Sequence, residues 1–448
     1  MTARRPCPAA PGPLEDFAVH FDALFHSLAQ RHNFRTYLAG LLAPRDRNKT
    51  LTALAGAEPL HQAQAAPVQQ LQFFLSESNW NADAIAARTV QLLQQEPLTA
   101  SDCDGVLVID DTGDRKDGNA TDHVARQYLG SVGKIDNGIV AVTTLWANAQ
   151  RYYPLHVAPY TPESRLEGGK QDPGFHSKPQ IALALVNKAV EAGIAFKAIV
   201  ADCFYGDHSG LVAGLLQHQL PFVLSHRRTR GQGWALADEA HSFDEALDDL
   251  RLRDWHQVTR HFRDGHTEQW WAAELEFMGY GPFHAERAIC ATTDRRTRPA
   301  LSTWYLTTNL PSHVADLAEV VRLYGLRHWI EQSYRQMKNE LGWADFMVRS
   351  DCAIRRHWTL VCCAFAFCWW HEAREVHLYE VVESTRLRKK NPTIKQADAM
   401  SLAMPAAGGK SVAGTSALAG ALVANLLRQA PAGRARRSTR IPAGRVRH

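Results

Sequence analysis

Residues 324–338 read YGLRHWIEQSYRQMK, a stretch with four regularly spaced polar side chains at Tyr324, Arg327, Glu331 and Lys338. In an α-helix, at about 100° per residue, these positions fall within about 60° of one another, on one narrow stripe. Such a stripe is often a solvated face in which Arg327 and Glu331 form an i, i+4 pair. Here the rest of the helix is apolar around much of its circumference, which indicates burial: Leu323, Leu326, Trp329, Ile330 and Tyr334. Buried charges need ionic partners or a metal.

Two groups of acidic residues follow apolar segments elsewhere in the chain. Asp110 and Asp111 come after VLVI at residues 106–109, and Asp202 comes after KAIVA at residues 197–201. Acidic residues after a strand are also ordinary turn formers, so each group alone predicts little. In α/β sheets, however, ligands bind beyond the carboxyl ends of the strands. Acids that follow two adjacent strands would therefore meet in one site.

The combination of two strand-end aspartates with a helix glutamate predicts a specific chemistry. These side chains supply the hard oxygen ligands that two divalent cations require. Such ions activate water and stabilise a leaving 3′ oxygen during phosphodiester cleavage. Oxygen ligands suit Mg²⁺ best, with Mn²⁺ as a substitute.

Other catalytic motifs fail on spacing. Gly130-x2-Gly133-Lys134 lacks the gap and the Ser or Thr of a nucleotide-binding P-loop. His371-Glu372 has no second histidine at the zinc-protease spacing, and no G-x-S-x-G element occurs.

The chain divides into five segments by pattern, and together they predict an α/β fold. Residues 1–100 read as a helical domain, and residues 101–226 alternate short strands with helices. Residues 227–310 form a β-rich insertion, after which the α/β core resumes at 311–372 with a long helix from Ser312 to about Leu341. Residues 373–448 are expected to be a largely disordered basic tail, because their composition offers little to bury.

Charge is unevenly distributed along the 448 residues, whose formal net charge is +4. No acidic residue follows Asp398, and the last 50 residues carry eight lysines and arginines. Such a tail is typical of contact with a polyanion, or of simple solvation. The longest apolar run, Thr359 to Trp370, is too short for the ~20 residues of a membrane span, and no signal peptide is recognisable. We therefore expect a cytoplasmic protein.

With these features in place, the sequence resembles the DDE-type transposases of bacterial insertion sequences, whose catalytic core is RNase H-like. The resemblance covers about residues 15–372 and is most specific at Tyr-x2-Arg-x3-Glu-x6-Lys, which this chain matches at all four positions. Similar segments recur in that branch: RTYLAGLL (35–42), FLSESNWNAD (74–83), DDTGDRKDG (110–118), ARQYLGSVGK (125–134) and ADCFYGD (201–207).

The resemblance implies roles for individual residues. The metal-binding triad falls on Asp111, Asp202 and Glu331, and Asp111 is favoured because it directly precedes Thr112. Strand alternation leaves Asp110 open as the alternative. The resemblance also implies DNA-binding roles: Arg327 and Lys338 on phosphates, Tyr324 on the terminal DNA backbone, and Trp304, in TWYLTTN, stacked on an extruded base. An ordinary core role for Trp304 remains equally open.

Three functions follow as hypotheses. The first is a transposase that binds terminal inverted repeats and target DNA as a homodimer, near the nucleoid. The second is a non-catalytic regulator descended from one, which would lose carboxylates that this chain retains. The third is a metal-dependent RNase H-like nuclease, which would need neither the N-terminal domain nor the insertion.

Overall fold

The computed structural model describes residues 5–59, 62–228, 235–236, 239–240, 247, 250–275 and 287–390, with side chains as far as 376 in the last helix. Of the tail predicted to be largely disordered, residues 373–390 continue a helix, and residues 391–448 lie outside the described residues. Parts of the β-rich segment also lie outside them.

The N-terminal hundred residues are helical, as predicted. The helices are α1 Leu14–Ala18, α2 Leu28–Leu42, α3 Leu51–Leu54, α4 Ala66–Ser76 and α5 Ala82–Gln95. A break separates α1 from α2, because Phe25 is extended and Ser27 caps a new helix through a capping box with Gln30. Asn81 caps α5 by accepting from the amide of Ala84.

Ten strands form one mixed sheet, and its centre is the expected α/β core. The core strands are β1 Val106–Arg115, β2 Ala125–Leu129, β3 Lys134–Ala147, β4 Tyr152–Tyr160, β5 Ala198–Ala201 and β6 Phe222–Ser225. Neighbours run β2-β3-β1-β5-β6, with β4 also paired to β3. Strand β1 is antiparallel to β3 but parallel to β5, which is parallel to β6. This mixed arrangement agrees with the predicted RNase H-like core.

The β-rich segment extends this same sheet. After the short pair β7 Ala235–Leu236 and β8 Glu239–Ala240 come β9 His256–His261, β10 Thr267–Leu275, β11 Arg287–Thr292 and β12 Thr303–Thr308. These four strands form an antiparallel ladder in the order β12-β11-β10-β9, and β12 pairs with β6. The pairing satisfies the backbone groups that β6 would otherwise expose as an edge.

The remaining helices cover the sheet: α6 Lys178–Glu191, α7 Cys203–Gly206, α8 Ser209–Gln217, α9 Leu317–Gly325, α10 His328–Asn339 and α11 Asp351–Lys390. The single helix predicted from Ser312 to Leu341 is therefore wrong in detail. Helix α9 begins after Asp316, whose side chain caps it by accepting a hydrogen bond from the amide of Glu319 at 2.8 Å. Between α9 and α10 the amides of Leu326 and Arg327 bond three residues back, so a tightened turn separates two nearly continuous helices.

The N-terminal helices share their hydrophobic core with the sheet. One buried cluster runs from Phe17 and Phe34 through Val108 to Trp358 and Trp370. Helix α11 connects the two parts, because it packs on α5, α2 and β4 and continues to Lys390, well beyond the predicted apolar segment. The domain limits given above stay predictions, since residues 1–100 have no separate core. Within the described ranges, no helix is both long and apolar enough to cross a membrane.

Candidate active site

The register of β1 and β5 places two acids side by side. Ile109 of β1 lies opposite Ala201 of β5, so the next residues, Asp110 and Asp202, follow at the same level of the sheet. Asp110 and Asp111 do not form a turn, because β1 continues along β3 as far as Arg115. The turn interpretation of this pair is therefore wrong.

A single arginine joins acids from three distant segments. One terminal nitrogen of Arg327 lies 2.8 Å from Oδ2 of Asp110 and 3.8 Å from Oδ2 of Asp202. Its other terminal nitrogen lies 3.1 Å from Oε1 of Glu331. The Arg327 side chain is 17% exposed and that of Glu331 is 64% exposed, so the i, i+4 pair joins a largely buried arginine to a solvated glutamate. Arg327 thus gathers Asp110, Asp202 and Glu331 at one end of the parallel strands.

Burial makes two of these acids, Asp110 and Asp202, reluctant to ionise. It raises the pKa of Asp110 to about 7, with Asp202 and Asp111 adding to the rise and Arg327 opposing it. Burial likewise raises the pKa of Asp202, where Arg327 again opposes the change. A site in which carboxylates resist ionisation favours an additional cation.

Asp111, the favoured first member of the predicted triad, has different partners from Asp110. Neighbouring residues of a strand point to opposite faces of the sheet. Lys178 Nζ lies 3.1 Å from Oδ1 of Asp111, and the Tyr205 hydroxyl donates to Oδ2 at 3.1 Å. The structure therefore places the alternative residue, Asp110, against Arg327. Sequence reasoning missed Lys178, for which only its place at a capped helix start was a signal.

Lys338 lies at the other end of the polar stripe, against the same strand. Its Nζ is 2.7 Å from Oδ1 of Asp114 and donates to the carbonyl of Gly113 at 3.0 Å. The Trp343 indole donates to the other oxygen of Asp114. The stripe therefore runs alongside β1, with Arg327 on Asp110 and Lys338 on Asp114.

Tyr324 and Trp304 pack together, and Tyr324 lies close enough to Arg327 and Asp202 to interact electrostatically with both. Their rings meet edge to face with centroids 4.9 Å apart, and Trp304 also contacts Trp270 at 4.3 Å. The guanidinium of Arg260 lies 4.7 Å from the Trp304 ring centroid. Trp304 is partly buried and Tyr324 is buried, so both have structural contacts in this state.

The donor chemistry of the site fits a hard divalent cation. Glu331 contacts Arg327 through Oε1 and is largely exposed, and Oδ2 of Asp202 lies beyond hydrogen-bond distance of the arginine, so oxygen ligands remain available. Among the described residues, no three acidic, histidine or cysteine side chains converge closely enough to hold an ion. The Arg327 guanidinium stands between the carboxylates in the arrangement observed here.

The fold agrees with comparisons to known proteins. A profile described as DDE superfamily endonuclease matches residues 20–232, which defines the class. A second profile, transposase DDE domain, matches residues 177–367. The probable transposase for insertion sequence element IS701 from Microchaete diplosiphon is 30% identical over 351 residues, covering 76% of this chain and 84% of that relative. The chain therefore belongs to the DDE-type insertion-sequence transposases, as its resemblance implied.

Proposed function

We propose that this chain binds the terminal inverted repeats of its element, cuts the DNA there and joins the 3′ ends to target DNA. The observation that carries the proposal is the contact of Arg327 with Asp110, Asp202 and Glu331. These residues come from a strand, the segment after a second strand and a helix, so only the folded chain brings them together. A surface ion pair would not explain this convergence.

Asp202, Glu331 and one of the adjacent aspartates would hold Mg²⁺, or Mn²⁺ in its place. The β1–β5 register favours Asp110 over Asp111 for the strand ligand. Bound divalent ions would activate the attacking water and stabilise the leaving 3′ oxygen. Arg327 holds the carboxylates near one another and offsets their charge, which lowers the cost of keeping them close.

DNA contacts are proposed for the residues around this centre. Arg327 and Lys338 lie along β1 and would position phosphates, and Tyr324 would contact the terminal backbone. Trp304 would stack on an extruded base only after its packing against Trp270 or Tyr324 opens. Two copies of the chain would pair the element ends in a homodimeric complex at the nucleoid.

The decisive experiment is Glu331→Gln, which removes a ligand charge without adding bulk. We expect strand cleavage in Mg²⁺ to be abolished while binding to an element-end fragment is retained, because the glutamate is expected to hold metal and not DNA. Cleavage and gel-shift assays on the same fragment measure the two properties. Glu340→Gln, at the end of α10, is the matched control and should cut normally. A Glu331→Gln protein that cleaves at the normal rate would end this mechanism.

A further inference from the structure

Asp111 forms a small network beside the Arg327 centre. Its two carboxylate oxygens accept from different donors, Lys178 Nζ and the Tyr205 hydroxyl, each at 3.1 Å. Tyr205 is almost completely buried, and Lys178 and Asp111 are largely buried. An ion pair in such surroundings is maintained only when its geometry is well satisfied.

Lys178 is held in place from both ends of its side chain. It is the first residue of α6, where Ser177 and Gln180 form a capping box that fixes the backbone. Its ammonium group lies 5.3 Å from the ring centroid of Phe204 and 5.6 Å from that of Tyr160. Lys178 therefore contacts both Asp111 and helix α7, to which Phe204 belongs.

Helix α7 carries Asp202 at its start. Asp202 is the N-cap, and its Oδ1 accepts from the amides of Phe204 at 3.1 Å and Tyr205 at 3.4 Å. A helix of four residues is not stable by itself, so its position depends on contacts with the rest of the protein. The Tyr205 hydroxyl supplies one such contact, because it ties α7 to β1 at Asp111.

We propose that Lys178 and Tyr205 are positioning residues that act through Asp111 to fix α7 against β1, and thereby Asp202 against Asp110. The inference rests on the proposed function, because Asp110 and Asp202 matter only if they hold metal. Asp111 then supports the site and is not itself a ligand. Lys178 offsets the charge of Asp111, which reduces the repulsion that a third carboxylate adds beside the other two.

The test compares Tyr205→Phe, Lys178→Met and Lys178→Arg in the full-length protein. Mn²⁺ affinity is measured without DNA by electron paramagnetic resonance, and cleavage of an element end is measured in Mg²⁺. Tyr205→Phe and Lys178→Met should each weaken Mn²⁺ binding and cleavage by about tenfold or more, because loss of a contact that supports a metal ligand typically has an effect of this size. Lys178→Arg should restore most of both, and gel-shift affinity for the end fragment should stay near that of the unaltered protein.

The matched control is Tyr153→Phe, which removes another buried tyrosine hydroxyl. Tyr153 donates to the carbonyl of Thr99 at 2.9 Å and lies opposite Trp146, which pairs with Leu107 near the start of β1. It should lower thermal stability about as much as Tyr205→Phe but leave Mn²⁺ affinity and cleavage unchanged. Equal Mn²⁺ affinities in the two tyrosine variants would overturn the proposal.

Asp111→Asn separates the supporting role from a ligand role. It should weaken Mn²⁺ binding, whereas Asp202→Asn should abolish it. If Asp111→Asn abolishes Mn²⁺ binding as completely as Asp202→Asn does, Asp111 is a ligand and the inference is wrong. An Asp202→Asn protein that cleaves normally would instead refute the proposed function, and the Mn²⁺ affinities of the Tyr205 and Lys178 variants would still test the positioning role.

Discussion

Three acids within one short stretch of β1 are each held by a different cation. Asp110 pairs with Arg327 at the start of α10, Asp111 with Lys178, and Asp114 with Lys338 near the end of α10. Leaving one member of a buried pair without its partner costs several kcal/mol, roughly 3 to 5. At the scale of single residues, these cations therefore stabilise the folded site, and Arg327 and Lys338 are proposed to contact DNA as well.

Lys338→Met tests this double role. Asp114 is 8% exposed and Lys338 is 18% exposed, so the change leaves a buried carboxylate with the Trp343 indole as its donor. We expect the free energy of unfolding, measured by urea denaturation, to fall by about 3 kcal/mol. Lys170→Met removes an exposed pair with Glu163 and should cost less than about 0.5 kcal/mol. Unchanged stability with lost DNA binding would mean that Lys338 acts on phosphates alone.

At the scale of secondary structure, the short helix α7, which follows Asp202, is held against the sheet by close contacts. Tyr205 links it to β1, and Asp207 at its end lies 3.1 Å from Nδ1 of His226. Gly206 allows the helix to approach β6, since a Cβ there would lie 2.1 Å from the carbonyl oxygen of Ser225. The absence of a side chain at Gly206 thus helps to set the position of Asp202.

Gly206→Ala should displace α7 and misplace Asp202. Because a displacement of about 1 Å in a catalytic group costs on the order of 100-fold, we expect a fall of that size in the cleavage rate. Stability should fall by about 1 to 3 kcal/mol from overpacking. Gly130→Ala is the control, because a Cβ there meets no atom within 4 Å and no positive φ is involved. Normal cleavage by Gly206→Ala would show that α7 tolerates the shift.

At the scale of the whole molecule, a buried histidine links the N-terminal helices to the catalytic core. His357 of α11 is fully buried, and its Nδ1 lies 2.7 Å from the hydroxyl of Tyr37 in α2. Its Nε2 faces the carbonyls of Gly342 and Trp343, both at 3.2 Å, so Nε2 carries the proton and Nδ1 accepts from Tyr37. The loop after the Glu331 helix is thereby joined to α2.

The pH dependence of stability follows from this burial. Burial lowers the pKa of His357 to about 4, so the folded state favours the neutral ring. The contribution of neutral His357 to the stability of the folded state is fully present above the unfolded pKa of about 6.5. It is lost as the pH falls towards 4. The free energy of unfolding, measured by urea denaturation, should fall between pH 7 and pH 4.5. This fall should be smaller by roughly 2 to 3 kcal/mol in His357→Gln than in the unaltered protein. The exposed control His176→Gln should lose stability as the unaltered protein does.

Local sequence patterns were enough to predict the kinds of secondary structure, the class of chemistry and the family. Periodicity located the N-terminal helices, the strands of the core and the helix that carries Glu331, because each signal lies within one element. The spacing of Tyr324, Arg327, Glu331 and Lys338 was enough to imply the family that the comparisons confirm.

The spatial neighbours of these residues are known only from the folded structure. Asp110 and Asp111 are adjacent and chemically identical, and only the folded structure shows that Asp110 is the one that pairs with Arg327. The pairing of Lys338 with Asp114, and of Lys178 with Asp111, likewise joins segments far apart in the chain. Register and packing between distant segments result from hydrogen bonds and burial across the whole fold, and no local pattern of residue types encodes them.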